Sequence, residues 1–150
     1  MREIKFRGKR VDNGEWVFGS YVSDKRGEHI LTRAADAGNL KYYSARFDMF
    51  AFPVIPETIG QFTGLLDKNG KEIFDGDLIS QKNFNGEEYI ALYAVVYDGE
   101  SFCLDMKIGN EKAMLLNEFS SFGHYENNRL RKGEVIGNIH DNHELIGGVE

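Results

Sequence analysis

Apolar positions along this chain gather in runs rich in aromatic and β-branched residues, separated by short polar, glycine-punctuated segments. Glu15-Trp16-Val17-Phe18-Gly19-Ser20-Tyr21-Val22, Tyr89-Ile90-Ala91-Leu92-Tyr93-Ala94-Val95-Val96-Tyr97 and Ser101-Phe102-Cys103-Leu104-Asp105-Met106-Lys107-Ile108 are three of them. Side chains of an extended strand point to opposite faces in turn, so such runs predict strands. Between them lie five turn dipeptides: Asn13-Gly14, Asn69-Gly70, Asp75-Gly76, Asn85-Gly86 and Asp98-Gly99. Asn-Gly and Asp-Gly favour tight hairpins, because their backbone twist matches that of paired strands. Residues 77–84, 87–97 and 101–108 therefore read as an antiparallel meander, with 134–139 as a late strand that could close it. Residues 3–7, 15–22 and 28–32 read as a separate N-terminal meander. Helical periodicity is thin. Leu115, Phe119 and Phe122 form one stripe at i, i+4 and i+7, which predicts at most a short helix over 111–122, with a strand at 113–116 as the alternative. Pro53 and Pro56 bracket Val54-Ile55, an extended link between halves.

The fold class expected is mainly β (β-rich α+β): an N-terminal antiparallel meander plus a small SH3-like half-open β-barrel, with one or two short helices at most. The modules expected are 1–55 and 56–150, sharing a core or forming one domain. Length allows either, since the chain has 150 residues, and 41% of them are apolar, enough for a core. Only two residues are proline and 17 are glycine, so the punctuation is turn chemistry.

Charge refines this picture. The net charge is −6, but residues 1–75 carry 12 basic and 11 acidic side chains, against 6 and 13 in residues 76–150. Arg2, Lys5, Arg7, Lys9 and Arg10 crowd the first ten residues. On a strand, Lys5, Arg7 and Lys9 share a face, and Arg7, Lys9 and Val11 read as a solvated basic face. A nucleic-acid contact there is the sharper alternative, although an acidic chain has no general attraction for phosphate. No stretch approaches the eighteen apolar residues of a membrane helix, and no apolar run follows Met1-Arg2-Glu3-Ile4-Lys5 as in a signal peptide. The single cysteine, Cys103, reads as a buried strand thiol, and its solitude fits a reducing, cytoplasmic setting.

Candidate chemistry mostly fails on spacing. Gly64-Leu65-Leu66-Asp67-Lys68-Asn69-Gly70-Lys71-Glu72 imitates a phosphate loop, but one residue too many separates its glycines. Glu72 also stands where a magnesium-binding hydroxyl is needed. Asp67, Asn69, Asp75 and Asp77 imitate a calcium loop, yet Lys71, Glu72 and Leu78 fall where an oxygen ligand, a glycine and a glutamate belong. Both stretches read better as turns: a hairpin at Asp67–Gly70, and Asp75-Gly76-Asp77 leading into a strand. The best metal-like grouping is His140, His143 and Glu144, but it follows a strand among turn residues without cysteine support, so a solvated turn is the preferred reading. No nucleophile elbow, H-E-x-x-H or G-x-G-x-x-G occurs. Catalytic residues, cofactors and metals are accordingly expected to be none. The aromatic first third, with Trp16, Phe18, Tyr42, Tyr43, Phe47, Phe50 and Phe52, reads as core, with an exposed docking or stacking surface as the alternative.

Longer blocks carry a resemblance. Arg2-Glu3-Ile4-Lys5-Phe6-Arg7-Gly8, Gly14-Glu15-Trp16-Val17-Phe18-Gly19-Ser20-Tyr21, the run Val54 to Ile79, Val96-Tyr97-Asp98-Gly99 with Phe102, and Glu134-Val135-Ile136-Gly137-Asn138-Ile139-His140-Asp141-Asn142 occur in one order. Together they are similar to YopX-family proteins of phages and prophages. The signature positions are Trp16, Gly19, Pro56, Gly60, Gly64, Asp67, Gly70, Asp75, Gly76, Asp77, Gly99, Gly137 and Asn138, which are residues of shape rather than of chemistry. His140 and His143 depart from the usual pattern, which weakens the metal reading. The resemblance implies a β-rich, phage-encoded accessory protein with no activity to transfer. The expectation is a non-enzymatic module that binds a host or phage protein as a homo-oligomer, with no membrane contact. Nucleic-acid binding through the barrel and the basic strand is the alternative.

Overall fold

The computed structural model describes residues 3–33, 49–81, 91–97, 99, 102–108, 119–121 and 133–146. The chain forms two compact units, residues 1–62 and 63–150.

In unit 1, β1 (Phe6–Lys9), β2 (Trp16–Asp24), β3 (Gly27–Arg33) and β4 (Met49–Pro53) form an antiparallel meander, and the first residues of β5 (Gly60–Leu66) pair with β1. One face is dry. Ile30 lies opposite Phe52 and Thr32 opposite Phe50, and with Val17 and Val54 these residues are buried. Val54-Ile55 is no free link. An Arg10↔Val54 bridge joins β1's end to β4's end, Val11 N donates to Pro53 O at 3.0 Å, and Ile55 N donates to Lys9 O at 2.8 Å. These bonds close the meander on itself. Pro56 opens a single 3-10 turn, Pro56–Thr58, and its Thr58 Oγ1 accepts from Lys9 N at 2.9 Å.

In unit 2, the rest of β5 pairs with β6 (Glu72–Phe74) across the Asp67–Gly70 turn. The expected meander follows as β7 (Asp77–Gln81), β8 (Ala91–Tyr97) and β9 (Phe102–Ile108), and β11 (Glu134–Asn138) pairs with β7. The order β10-β9-β8-β7-β11 leaves β10 and β11 at opposite edges. One buried cluster holds Ile73, Ile79, Tyr93, Val95, Phe102, Leu104 and Val135, and a second holds Leu78, Leu92 and Ala94. The protein is mainly β, and the described residues contain no α-helix.

The expected helix needs correcting. Residues 119–121, assigned to the short helix, form β10 (Phe119–Ser121), paired with Asp105, Leu104 and Cys103 of β9. A stripe of three apolar residues specifies a helix weakly, whereas an adjacent strand offers ladder hydrogen bonds to an extended segment. Residues 111–118, the Asn85-Gly86 turn, Tyr42, Tyr43 and Phe47 lie outside the described residues. Cys103 lies in β9 as expected, but its side chain is not among those described. Gly14, Gly70, Gly76 and Gly99, from four of the five turn dipeptides, all have positive φ.

Candidate interaction surface

The N-terminal basic strand is not a solvated face. Arg7 is only 7% exposed, and its guanidinium carbon lies 4.6 Å from the centre of the Trp16 ring. The register explains the contact: Arg7 faces Phe18 and Lys9 faces Trp16 across β1–β2, so cations and rings share one side of the sheet. Lys9 Nζ also lies over Trp16, at 5.8 Å, and Lys5 Nζ lies over Phe62, at 5.6 Å. Arg10, 4% exposed, stacks on Phe52 at 4.6 Å and makes a two-pronged ion pair with Asp12 at 2.9 and 2.5 Å. The hydrogen bond from Arg10 is the main reason that Asp12 has a pKa below the ordinary value. Alternation predicted which residues share the face. It could not show that long basic stems would lie down on neighbouring rings instead of reaching into water.

The same side of unit 1, further along the sheet, is unexpectedly apolar and open. Register aligns Val22, His29 and Pro53 in one row, and the bond from Val11 N to Pro53 O extends the row to Val11. Val11 is 62% exposed, Val22 38% and Phe18 45%. Ser20, Leu31 and Ala51 form the next row, in which Ser20 and Ala51 are exposed. Ile55, beside Lys9, is exposed too. A sheet face turned to water ordinarily alternates to polar residues, and here exposed valine, proline, alanine and isoleucine surround only His29 and Ser20 in these rows. Val11 was read as part of a basic face, and the closure that sets it beside Pro53 is a long-range feature with no local signal.

The signature residues of unit 2 build turns that hold β11. Asp67 is 5% exposed. Its Oδ1 accepts from Asn69 N at 2.8 Å and from Lys71 N at 2.9 Å, and its Oδ2 reaches Val135 N at 3.0 Å. Burial, the largest single influence, pushes its pKa up. The three backbone donors and the charge of Lys71 outweigh burial and hold it below the ordinary carboxyl value. Lys68 N donates to Gly133 O at 3.0 Å, and Lys68 and Asn69 both contact the Glu134 carboxylate. Asp77, 2% exposed, accepts from Phe74 N at 2.8 Å. Gly76 N donates to Val95 O and Gly76 O accepts from Ile139 N, which ties that turn to β8 and to the end of β11.

At the other end of β11, Asn138 Oδ1 accepts from His140 N and Asp141 N, both at 2.9 Å. Asn138 N donates to Asn142 Oδ1, and Asn142 N donates back to Asn138 O, each at 3.0 Å. A Cβ on Gly137 would lie 2.4 Å from Asn142 Oδ1, so glycine is needed for this close approach. Gly137→Ala is expected to push Asn142 off Asn138 and lower stability by about 1–2 kcal/mol in urea unfolding.

His143 and Glu144 begin a 3-10 turn, His143–Ile146, and Glu144 Oε1 accepts from Asn142 Nδ2 at 3.1 Å. Among the described residues no three His, Cys, Asp or Glu side chains gather as a metal site. Among the described residues no helix is long and apolar enough to cross a membrane, which says nothing of spanning by strands. Thr58, Thr63 and Asn142 escaped the sequence reading as structural residues. Thr63 Oγ1 donates to Ile73 O at 2.8 Å, and only the general turn preference of Asn and Thr hinted at such roles.

Two small antiparallel β units, with side-chain-capped turns in the second, define the structural class. The model of the YopX protein family matches residues 5–147, and the chain belongs to that family. Among solved structures it is similar to the crystal structure of protein EF1440 from Enterococcus faecalis. That likeness has a TM-score of 0.55 and 20% sequence identity, and it covers 98% of this chain and 100% of the other, which shows a shared fold. No curated protein matches.

Proposed function

We propose that this chain is a phage- or prophage-encoded accessory protein, a non-enzymatic module of the bacterial cytoplasm that docks on a host or phage protein. The observation that carries this reading is the exposed apolar face of unit 1, from Val22 through Pro53 to Val11, with Phe18 and Ile55 at its margins. An apolar face of this kind suits a partner protein with an apolar surface of its own. Nucleic acid is the weaker alternative, because Arg7 and Arg10 are buried against rings and so withdrawn from phosphate.

Capture from host lysate by the wild-type chain and by a Val11→Asp/Val22→Asp variant tests this reading. Both positions are exposed, so the variant keeps its circular dichroism and melting temperature. The reading expects a captured protein that the variant loses. Equal recovery by both chains, or a complex with single- or double-stranded DNA or RNA that weakens as salt rises, overturns it.

A further inference from the structure

Strand β11 ends its sheet, and the edge of a sheet normally presents a row of unpaired N–H and C=O groups to any extended chain. Here groups at both ends of the strand are taken. At the start of β11, Gly133 O accepts from Lys68 N, and Val135 N donates to the Asp67 carboxylate. At its end, Asn138 N and Asn138 O both bond to Asn142. Between the two caps the register with β7 shifts at Ile136, so the strand is bulged where neither cap reaches. Ile136 is 40% exposed there, an apolar side chain on an edge.

From this arrangement we infer that the Asp67 turn and the Asn138–Asn142 loop are a two-ended guard. They keep β11 from pairing with the same strand of a second copy of this chain. A second copy is the occupant that the geometry favours. Antiparallel addition of β11 to β11 places identical Ile136 side chains near one another across a two-fold axis, and the same released N–H and C=O groups complete each other. The guard uses carboxylate and amide acceptors instead of an extra strand, so loss of a single acceptor opens it.

Asp67→Asn is the selective test. The amide retains one oxygen for Asn69 N and Lys71 N, but it turns an N–H toward Val135 N, where two donors repel. Sedimentation equilibrium and light scattering over a concentration series should show the variant rising to the mass of a dimer or larger relative to wild type, with strand circular dichroism retained. Adding Ile136→Lys to Asp67→Asn should return the mass to the wild-type value, because a charge at the edge resists strand addition. If Asp67→Asn does not fold, Asn142→Ala opens the other end of the guard and carries the same comparison. A folded variant with the wild-type mass, or association that Ile136→Lys leaves unchanged, overturns the inference.

Discussion

Gly19→Ala is expected to be the most damaging single substitution in unit 1. A Cβ at this position would sit 1.9 Å from Leu31 O and 2.8 Å from Leu31 C, both backbone atoms of the neighbouring strand. A flexible side chain could move aside, but a backbone carbonyl moves only if β2 separates from β3. That separation breaks the register from Ser20↔Leu31 to Asp24↔Gly27 and disturbs Thr32, whose Oγ1 donates to Phe18 O at 2.9 Å. Ile30, fully buried on the same strand as Leu31, would lose its place opposite Tyr21 of β2. The expected cost is on the order of 4 kcal/mol, in the range reserved for backbone clash or core disruption. Denaturant unfolding followed by Trp16 fluorescence measures it, because Trp16 is the only tryptophan and lies in unit 1. A cost below about 1 kcal/mol would mean that the close approach of β2 and β3 is not as described.

Asp67→Ala is the counterpart in unit 2. It strips the acceptor from three backbone N–H groups at once, those of Asn69, Lys71 and Val135. Hydrogen bonds to a charged acceptor are among the stronger ones, and a buried donor left unpaired carries its full desolvation penalty. The expected loss is about 3–5 kcal/mol. The effect also has a pH signature. The folded-state pKa of Asp67 lies below the ordinary value of 3.8, so its contribution is fully present above that value. The contribution falls away as pH drops through the lower folded value, when the carboxyl takes up a proton in both states. The stability gap between wild type and Asp67→Ala should therefore be constant near neutrality and shrink in acid below pH 3.8. A gap that widens in acid would contradict the hydrogen-bonded, ionised carboxylate.

These two residues show what could be read from the sequence. The Asp67–Gly70 hairpin was legible because its chemistry is local: Asp and Asn bond to backbone groups two to four residues on, and Gly70 takes the positive φ that the turn requires. The second half of Asp67's role was invisible, since its bond to Val135 spans 68 positions. β1, β2, β3, β7, β8, β9 and β11 followed from aromatic and β-branched runs between turn dipeptides, β4 (Met49–Pro53) was not read as a strand, and β10 was missed where three apolar residues imitated a helix. Alternation also grouped Lys5, Arg7 and Lys9 correctly and still gave the wrong environment for Arg7, because burial depends on which rings the next strand supplies. The apolar row from Val22 to Val11 needs the β1–β4 closure, a contact that no local pattern announces. The signature residues read as residues of shape, and their hydrogen bonds in unit 2 bear directly on how β11 is held.

The most direct test of that central point is amide hydrogen exchange, residue by residue, on wild type and on Asp67→Asn combined with Ile136→Lys, which keeps β11 from pairing with a second copy and re-protecting its amides. The Val135 amide should be strongly protected in wild type and lose that protection in the variant, while the Asn138 amide, held by Asn142 at the other end of β11, keeps its own. Unchanged protection at Val135 would contradict the assignment of Asp67 as the residue that holds this strand.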